Sequence, residues 1–371
     1  MKTPKSTLNQ TAKFQTIKQP ECQEKQQIKE ITDITEQLLN RRYADNKVLR
    51  AVHPKAHGCV KATFTINDDI DAKYRVGILS SPGKSYQAMI RFSNATGLVT
   101  DDVNADGSNN SRGMAIKVFG VEEGGAFLDK DNGARNQDFL MINSPEFAIA
   151  NVPDYLRLNK VILKDNESVG TFFAPLFTAD KKPLTPAEVK TTAESLRLVK
   201  AIAATPVNNP LEVQYFSAAP FAFGDDKVMH FSVRPVGELK PQQQPTPSPN
   251  YLKEALINTL SEPENIKFDF MVQVRDANDN NLGLENASTR WREENHPFIK
   301  VATLSISAPQ TGIDSVEQEK ACENLVFTPW HSLKAHQPLG GINRLRQSVY
   351  QTSASVRGVC PHHKQVGYSK K

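Results

Sequence analysis

The 371-residue sequence predicts an α+β protein built on an antiparallel β-barrel or sandwich. Two patterns carry that expectation. Eight short segments rich in β-branched and aromatic residues are separated by Gly, Asn, Asp and Pro. Several alternate apolar with polar side chains, as Phe268, Phe270 and Val272 do, which suits a sheet with one polar face. Between them run helical patterns with apolar residues at three- and four-residue steps.

Residues 1–25 are polar and rich in Lys, Gln and Thr, which predicts a loosely attached tail. From Glu24 to Asn46, Ile28, Ile31, Ile34, Leu38 and Leu39 form one apolar stripe, the face of a helix that docks on a core. Strands are expected at Val60–Ile66, Ala88–Phe92, Met114–Phe119 and Phe139–Ile142. After helical stretches at 152–163 and 185–204, two more follow at Leu211–Phe216 and Val228–Val233. Four prolines and three glutamines make Pro241–Pro249 an extended surface connector. A helix at 252–260 leads to strands Phe268–Val274 and Ile299–Ile306, and helices at 315–324 and 343–355 complete the order. Strand-like sequence lies on both sides of the connector and no internal repeat is visible. The expectation is one domain over residues 26–360 and a short tail over 361–371.

Forty-five basic residues against 41 acidic ones leave a net charge of +4, too small and too scattered for a nucleic-acid surface. No apolar run approaches the ~18 residues that span a bilayer, so integral membrane association is not expected. Met-Lys-Thr-Pro-Lys-Ser leads into polar residues and not into an apolar signal core, and a cytoplasmic protein is expected. Cys22, Cys59, Cys322 and Cys360 stand far apart without a CxxC pair, which reads as reduced, structurally incidental thiols.

Four clusters could carry chemistry. In the last helical segment Arg346 and Tyr350 are four apart on one face, and Arg357 falls near that face if the helix continues. A guanidinium beside a phenol favours the phenolate, a hard anionic ligand for ferric iron. By spacing alone an ordinary amphipathic helix explains the pair as well. Two histidines, His53 and His57, precede the first strand near a loop boundary, with Arg50 before them and Cys59 after. An imidazole there could shuttle a proton, sit hydrogen-bonded in the core, or join its neighbours on zinc, although the spacing fits no strong zinc signature. Cys360-Pro361-His362-His363 is a weaker metal-like run. A third cluster places Arg91-Phe92-Ser93 and Ser111-Arg112-Gly113 at strand boundaries, with Asp101-Asp102 between them read as a solvated loop. The fourth, Gln137 to Phe147 with Tyr155 beyond, supplies apolar walls for a pocket or a core.

Taken in order, these segments resemble the catalase superfamily. Arg50-x-x-His53-x-Lys55 resembles the distal histidine motif. Arg91-Phe92-Ser93 and Arg112-Gly113-Met114-Ala115-Ile116-Lys117 resemble the next two barrel signatures. Asp138 to Phe147, Phe268–Val274 and Asn324–Pro329 follow in the family's order and precede Arg346-x-x-x-Tyr350. The resemblance covers about residues 45–357. It implies an eight-stranded antiparallel β-barrel of catalase type with surrounding helices, binding haem b, with Tyr350 on the iron. His53 would then be the distal acid–base with Ser93 as its supporting hydroxyl, and Arg346 would hold the phenolate. Arg50, Arg91 and Arg357 would pair the haem propionates, and Phe147 and Tyr155 would line the pocket. The partner implied is a hydroperoxide, with a homo-oligomer as the family's common assembly.

The departures from the family are as informative. Ile142 stands at the distal asparagine position, and Asn143 is one residue further on, which in a strand is the opposite face. One extra residue separates His53 from the following strand. The chain also lacks sequence for a long helical region after the ligand helix, as the compact members of the superfamily do. These features favour peroxidase or organic-hydroperoxide chemistry, with true catalase activity as the first alternative. A non-catalytic haem- or lipid-binding protein on the same fold is the second.

Overall fold

The computed structural model describes residues 22–128, 135–177, 184–239, 248–279, 282–360 and 362. Among the described residues there are nine strands: β1 (Ala56–Ile66), β2 (Ser85–Asn94), β3 (Arg112–Phe119), β4 (Asn136–Ile142), β5 (Tyr215–Phe216), β6 (Phe221–Phe223), β7 (Lys227–Pro235), β8 (Ile266–Asp276) and β9 (Ile299–Ile306). All pair antiparallel in the order β5-β4-β3-β2-β1-β9-β8-β7-β6. A further β5–β7 pairing closes the ring, so the sheet is an eight-stranded barrel with β6 as an extra strand on β7.

The expected strand Leu211–Phe216 is shorter than the sequence suggested. Pro210 opens a 3-10 turn over Pro210–Glu212, which leaves only Tyr215 and Phe216 in the ladder. The chain leaves β7 after Phe216 and rejoins it at Phe221, so β5 and β6 lie on successive parts of one strand. Ala218 takes a positive φ in the interruption, and Pro220, without an N–H to donate, precedes the return.

The barrel interior is filled by aromatic rings. Phe139 packs at 5.0 Å from Phe231 and 4.7 Å from Phe270, and Phe64 lies 5.0 Å from Phe270. Outward-facing side chains of β3 and β4 are buried too, because other segments cover them. Lys117 and Asp138 stand directly opposite across β3 and β4, both fully buried, with Nζ 2.7 and 2.8 Å from the carboxylate oxygens. His331 and the Thr328 amide also reach Asp138, so the carboxylate pins the 328–331 segment to the barrel wall. Removing one partner from such a pair leaves an uncompensated buried charge, which costs about 3–5 kcal/mol.

Among the described residues seven α-helices surround the barrel: α1 (Cys22–Arg42), α2 (Val152–Lys164), α3 (Gly170–Phe173), α4 (Pro186–Ala203), α5 (Tyr251–Ser261), α6 (Val316–Asn324) and α7 (Gly340–Val356). The stripe Ile28, Ile31, Ile34 and Leu38 of α1 packs on Val152 and Leu156 of α2 and on Leu345 and Val349 of α7. Helix α1 opens at Cys22, inside the stretch 1–25 read as tail; residues 1–21 lie outside the described residues. Most of the Pro241–Pro249 connector and of the 361–371 tail lie outside them as well.

Two expectations are corrected by packing. Cys59 of β1 and Cys322 of α6 are joined as a disulfide, and only Cys22 and Cys360 are free. Docking α6 on the barrel brings together two cysteines 263 residues apart, a proximity that linear spacing does not reveal. Asp102 is not in a solvated loop. It is fully buried, 2.8 Å from Lys55 Nζ, and accepts from Asn94 Nδ2 at 3.1 Å and from the Leu252 amide at the start of α5 at 3.0 Å. Asp101 beside it is exposed, so only one member of the pair has the surroundings expected of both.

His57, His230 and His336 are buried, and burial pushes their imidazoles down to about 4, about 3 and about 4. The unfolded chain therefore binds more protons than the folded one below the ordinary value of ~6.5. Their contribution to stability is complete above that pH and is lost as pH falls toward 4. The expected outcome is a loss on the order of 1–2 kcal/mol per histidine between pH 7 and pH 5. Urea unfolding at the two pH values checks it, and equal midpoints would contradict it.

Candidate functional site

A cavity of about 520 Å³ lies between the outer face of the barrel, the Phe147–Ile149 segment and helices α2, α4 and α7. Its size is that of a small-molecule or cofactor pocket. The sheet supplies its wall by alternation. On β2, Ile90 and Phe92 enter the barrel core, which turns Arg91 and Ser93 outward. Cross-strand register then builds two rows, Arg91–Ala115–Leu140 and Ser93–Gly113–Ile142, across β2, β3 and β4. Five of these six residues line the cavity, and the sixth, Gly113, lies beneath the ring of His53.

That glycine is needed. A Cβ on Gly113 would collide with His53 Nδ1 and come within 2.9 Å of Ser93 Oγ. His53 itself has a φ of 58°, an unusual conformation for a side-chain-bearing residue followed by proline. It is held there by its own N–H to Thr96 O at 2.9 Å and by Nδ1 lying 3.0 Å from Ser93 Oγ. Burial, then the positive charges of Arg91, Arg346 and Arg50, push its imidazole down to about 3, so the ring is neutral over the physiological range.

Helix α7 forms the facing wall. Ile342, Leu345, Arg346, Val349, Tyr350 and Ser353 recur at helical spacing and line the cavity. The Arg346 guanidinium lies 5.6 Å from the centroid of the Tyr350 ring and donates to Asn343 Oδ1 at 3.0 Å. Tyr155 of α2 stacks near Phe147 at 6.4 Å, and burial, reinforced by the nearby Tyr350 oxygen, pushes its phenol up to about 12. Tyr155 is therefore a neutral wall group. Phe147 and Tyr155, expected in the pocket, both line it.

Arg50, Arg91 and Arg357 also meet at the cavity, and they share a partner that the sequence did not suggest. Arg91 Nε and Nη2 donate to Glu323 Oε1 at 3.2 and 3.1 Å. Arg50 Nε stands 3.3 Å from Oε2, and Arg357 Nη1 donates to the Glu323 carbonyl at 2.7 Å. Arg50 Nη2 is taken up by the carbonyls of Cys322 and Leu325, and Arg357 Nε by that of Ser353. Among the described residues, Arg50 Nη1, Arg91 Nη1 and Arg357 Nη2 have no protein partner.

Other candidates separate. Asn143 does not face the cavity: its Oδ1 accepts from Ser111 Oγ and the Arg112 amide, while Ile142 takes the lining position. His57 hydrogen-bonds Asn94 in the core, and Cys59 is in the disulfide, so neither joins His53 on a metal. Arg112 is turned away, bound to Asn94 and to the Asp102 carbonyl. His362 is described, but Pro361 and His363 are not.

Gly113→Ala is expected to lift the His53 ring off Ser93 while leaving the barrel folded. The displaced imidazole gains solvent and its pKa rises from about 3 toward the ordinary histidine value. Histidine NMR titration of the wild type and the variant checks this; an unchanged low value would contradict it.

No protein-family model matches the chain. Among solved structures, catalase A from Saccharomyces cerevisiae matches with a TM-score of 0.61 and 15% identity, over 89% of this chain and 64% of that one. A fungal catalase gives a TM-score of 0.61 at 14% identity over 89% and 65%, and a bacterial catalase 0.58 at 15% over 90% and 60%. This chain thus spans less than two thirds of the length of each of these catalases. The cavity described above sits on a barrel of the catalase fold.

Proposed function

We propose that the chain is a haem-dependent oxidoreductase acting on hydroperoxides, with Tyr350 as the iron ligand and His53 as the acid–base group. One observation carries the reading: the His53–Ser93 and Tyr350–Arg346 pairs, about 300 residues apart in sequence, line a single cavity. The donor set fits haem. A phenol with a neighbouring guanidinium suits ferric iron, and three arginines with unpartnered terminal nitrogens suit two propionates. When bound, the haem would supply the redox chemistry that breaks an O–O bond.

The chain's own residues do the rest. Arg346 sets a positive charge 5.6 Å from the centroid of the Tyr350 ring. With Nδ1–H donated to Ser93 Oγ, His53 Nε2 is left as an acceptor, and a neutral imidazole can take the proton from an incoming hydroperoxide. The same nitrogen can return it to the departing oxygen. Leu140, Ile142 and Leu345 make much of the wall apolar, which suits a substrate with an alkyl group. At the Ile142 position hydrogen peroxide finds no side-chain amide to hydrogen-bond. The structural likeness to proteins named as catalases favours hydrogen peroxide disproportionation as the second reading.

The haem-loaded protein is expected to turn over cumene hydroperoxide faster than hydrogen peroxide, and His53→Gln is expected to lower both rates by ~10²-fold or more. Oxygen release and peroxide consumption checked together decide between the readings. Fast stoichiometric oxygen release would favour the catalase reading, and unchanged rates in His53→Gln would remove His53 from the chemistry.

A further inference from the structure

Three buried arginines around one carboxylate raise a question of charge. Arg50, Arg91 and Arg357 bring three positive charges to one end of the cavity, and Glu323 returns one negative charge. Glu323 is largely buried, and both its oxygens face guanidinium groups: Oε1 faces Arg91, and Oε2 faces Arg50 at 3.3 Å and Arg357 at 3.9 Å. The three arginines hold its carboxyl below the usual range against the opposing effect of burial. Each arginine commits one edge to Glu323 or to the backbone around it and keeps one terminal nitrogen without a protein partner.

The carboxylate also has a fixed seat. Glu323 follows Cys322, the one buried residue among those assigned to α6, and Cys322 is bonded to Cys59 of β1. Gln318 of α6 donates to the Cys59 carbonyl at 3.2 Å, a second tie to the same strand. A side chain at the end of a tethered helix is a standing support for the arginines that line the cavity, and it does not leave easily when a ligand arrives.

We propose that Glu323 is a specificity-determining residue, an internal counter-ion that lets the three-arginine wall fold before a ligand binds and sets its remaining demand at two negative charges. This rests on the haem reading for its natural ligand, since a porphyrin with two propionates matches that demand. At close range, charges in a partly buried site interact strongly, so a third unpaired guanidinium makes the site more selective for anions and the empty fold less stable. The two effects have opposite signs. A residue with a merely structural role would weaken every ligand together.

The test uses the full chain freed of any bound porphyrin and titrated with metal-free protoporphyrin and with its dimethyl ester, so that iron ligation does not enter. Glu323→Gln is expected to raise the preference for the diacid over the diester by about tenfold or more and to lower the melting temperature of the ligand-free chain. The double variant Glu323→Gln/Arg357→Gln, which restores the wall to a charge of +2, is expected to recover both the stability and the wild-type preference. It also keeps the proposal testable if the single variant does not fold. A preference that is unchanged or falls in Glu323→Gln, or a double variant that recovers neither property, would overturn the proposal while leaving the haem reading intact. If no variant binds either porphyrin, the haem reading fails, and inorganic phosphate decides the rest. A larger phosphate-induced rise in melting temperature for Glu323→Gln than for the wild type supports the internal counter-ion, and an equal or smaller rise overturns it.

Discussion

Side-chain alternation across β2, β3 and β4 is the constraint on which the site depends. Because Ile90, Phe92, Ile116 and Phe139 fill the barrel, their neighbours in the chain must face outward, and register sets them in rows. A shift of one residue would send Arg91 and Ser93 into the aromatic core. Closure of the ring through the β5–β7 pairing fixes that register, since every strand edge in the ring is engaged. The cavity wall is thus the outside of a barrel whose inside is packed with phenylalanine and aliphatic side chains.

Electrostatics then divide the cavity. Arg346 stands beside the phenol of Tyr350, three more guanidinium groups gather at Glu323, and His53 is kept neutral by burial and by these same charges. The same charges keep the imidazole unprotonated and call for an anionic ligand in the cavity. Backbone strain at His53 is borne by the Thr96, Ser93 and Gly113 contacts, so the ring is aimed before anything binds. The lock between Lys117 and Asp138 supports this arrangement on the same outer face of the sheet, by holding the segment that leads into α7.

Much of this was legible in the sequence, because it depends on local periodicity. The stripe from Ile28 to Leu39, the alternation in Phe268–Val274 and the four-residue step from Arg346 to Tyr350 each follow from the geometry of a single element. The consequence of Ile142 preceding Asn143 was legible for the same reason, and the structure places the isoleucine in the cavity and the asparagine on backbone and hydroxyl donors. What was hidden depends on contacts between distant parts of the chain. Glu323 lies 232 residues from Arg91, and nothing near it in sequence marks it as their partner. Asp102 resembled its exposed neighbour until Lys55 and α5 closed over it, and Cys59 was paired only by the docking of α6.

The central claim is that this cavity holds haem through Tyr350, and an absorption spectrum tests it most directly. The full chain reconstituted with haem is to be compared with Tyr350→Phe. The account predicts a high-spin ferric tyrosinate spectrum in the wild type that is lost in the variant. Absence of haem binding, or a spectrum that the substitution leaves unchanged, would contradict it.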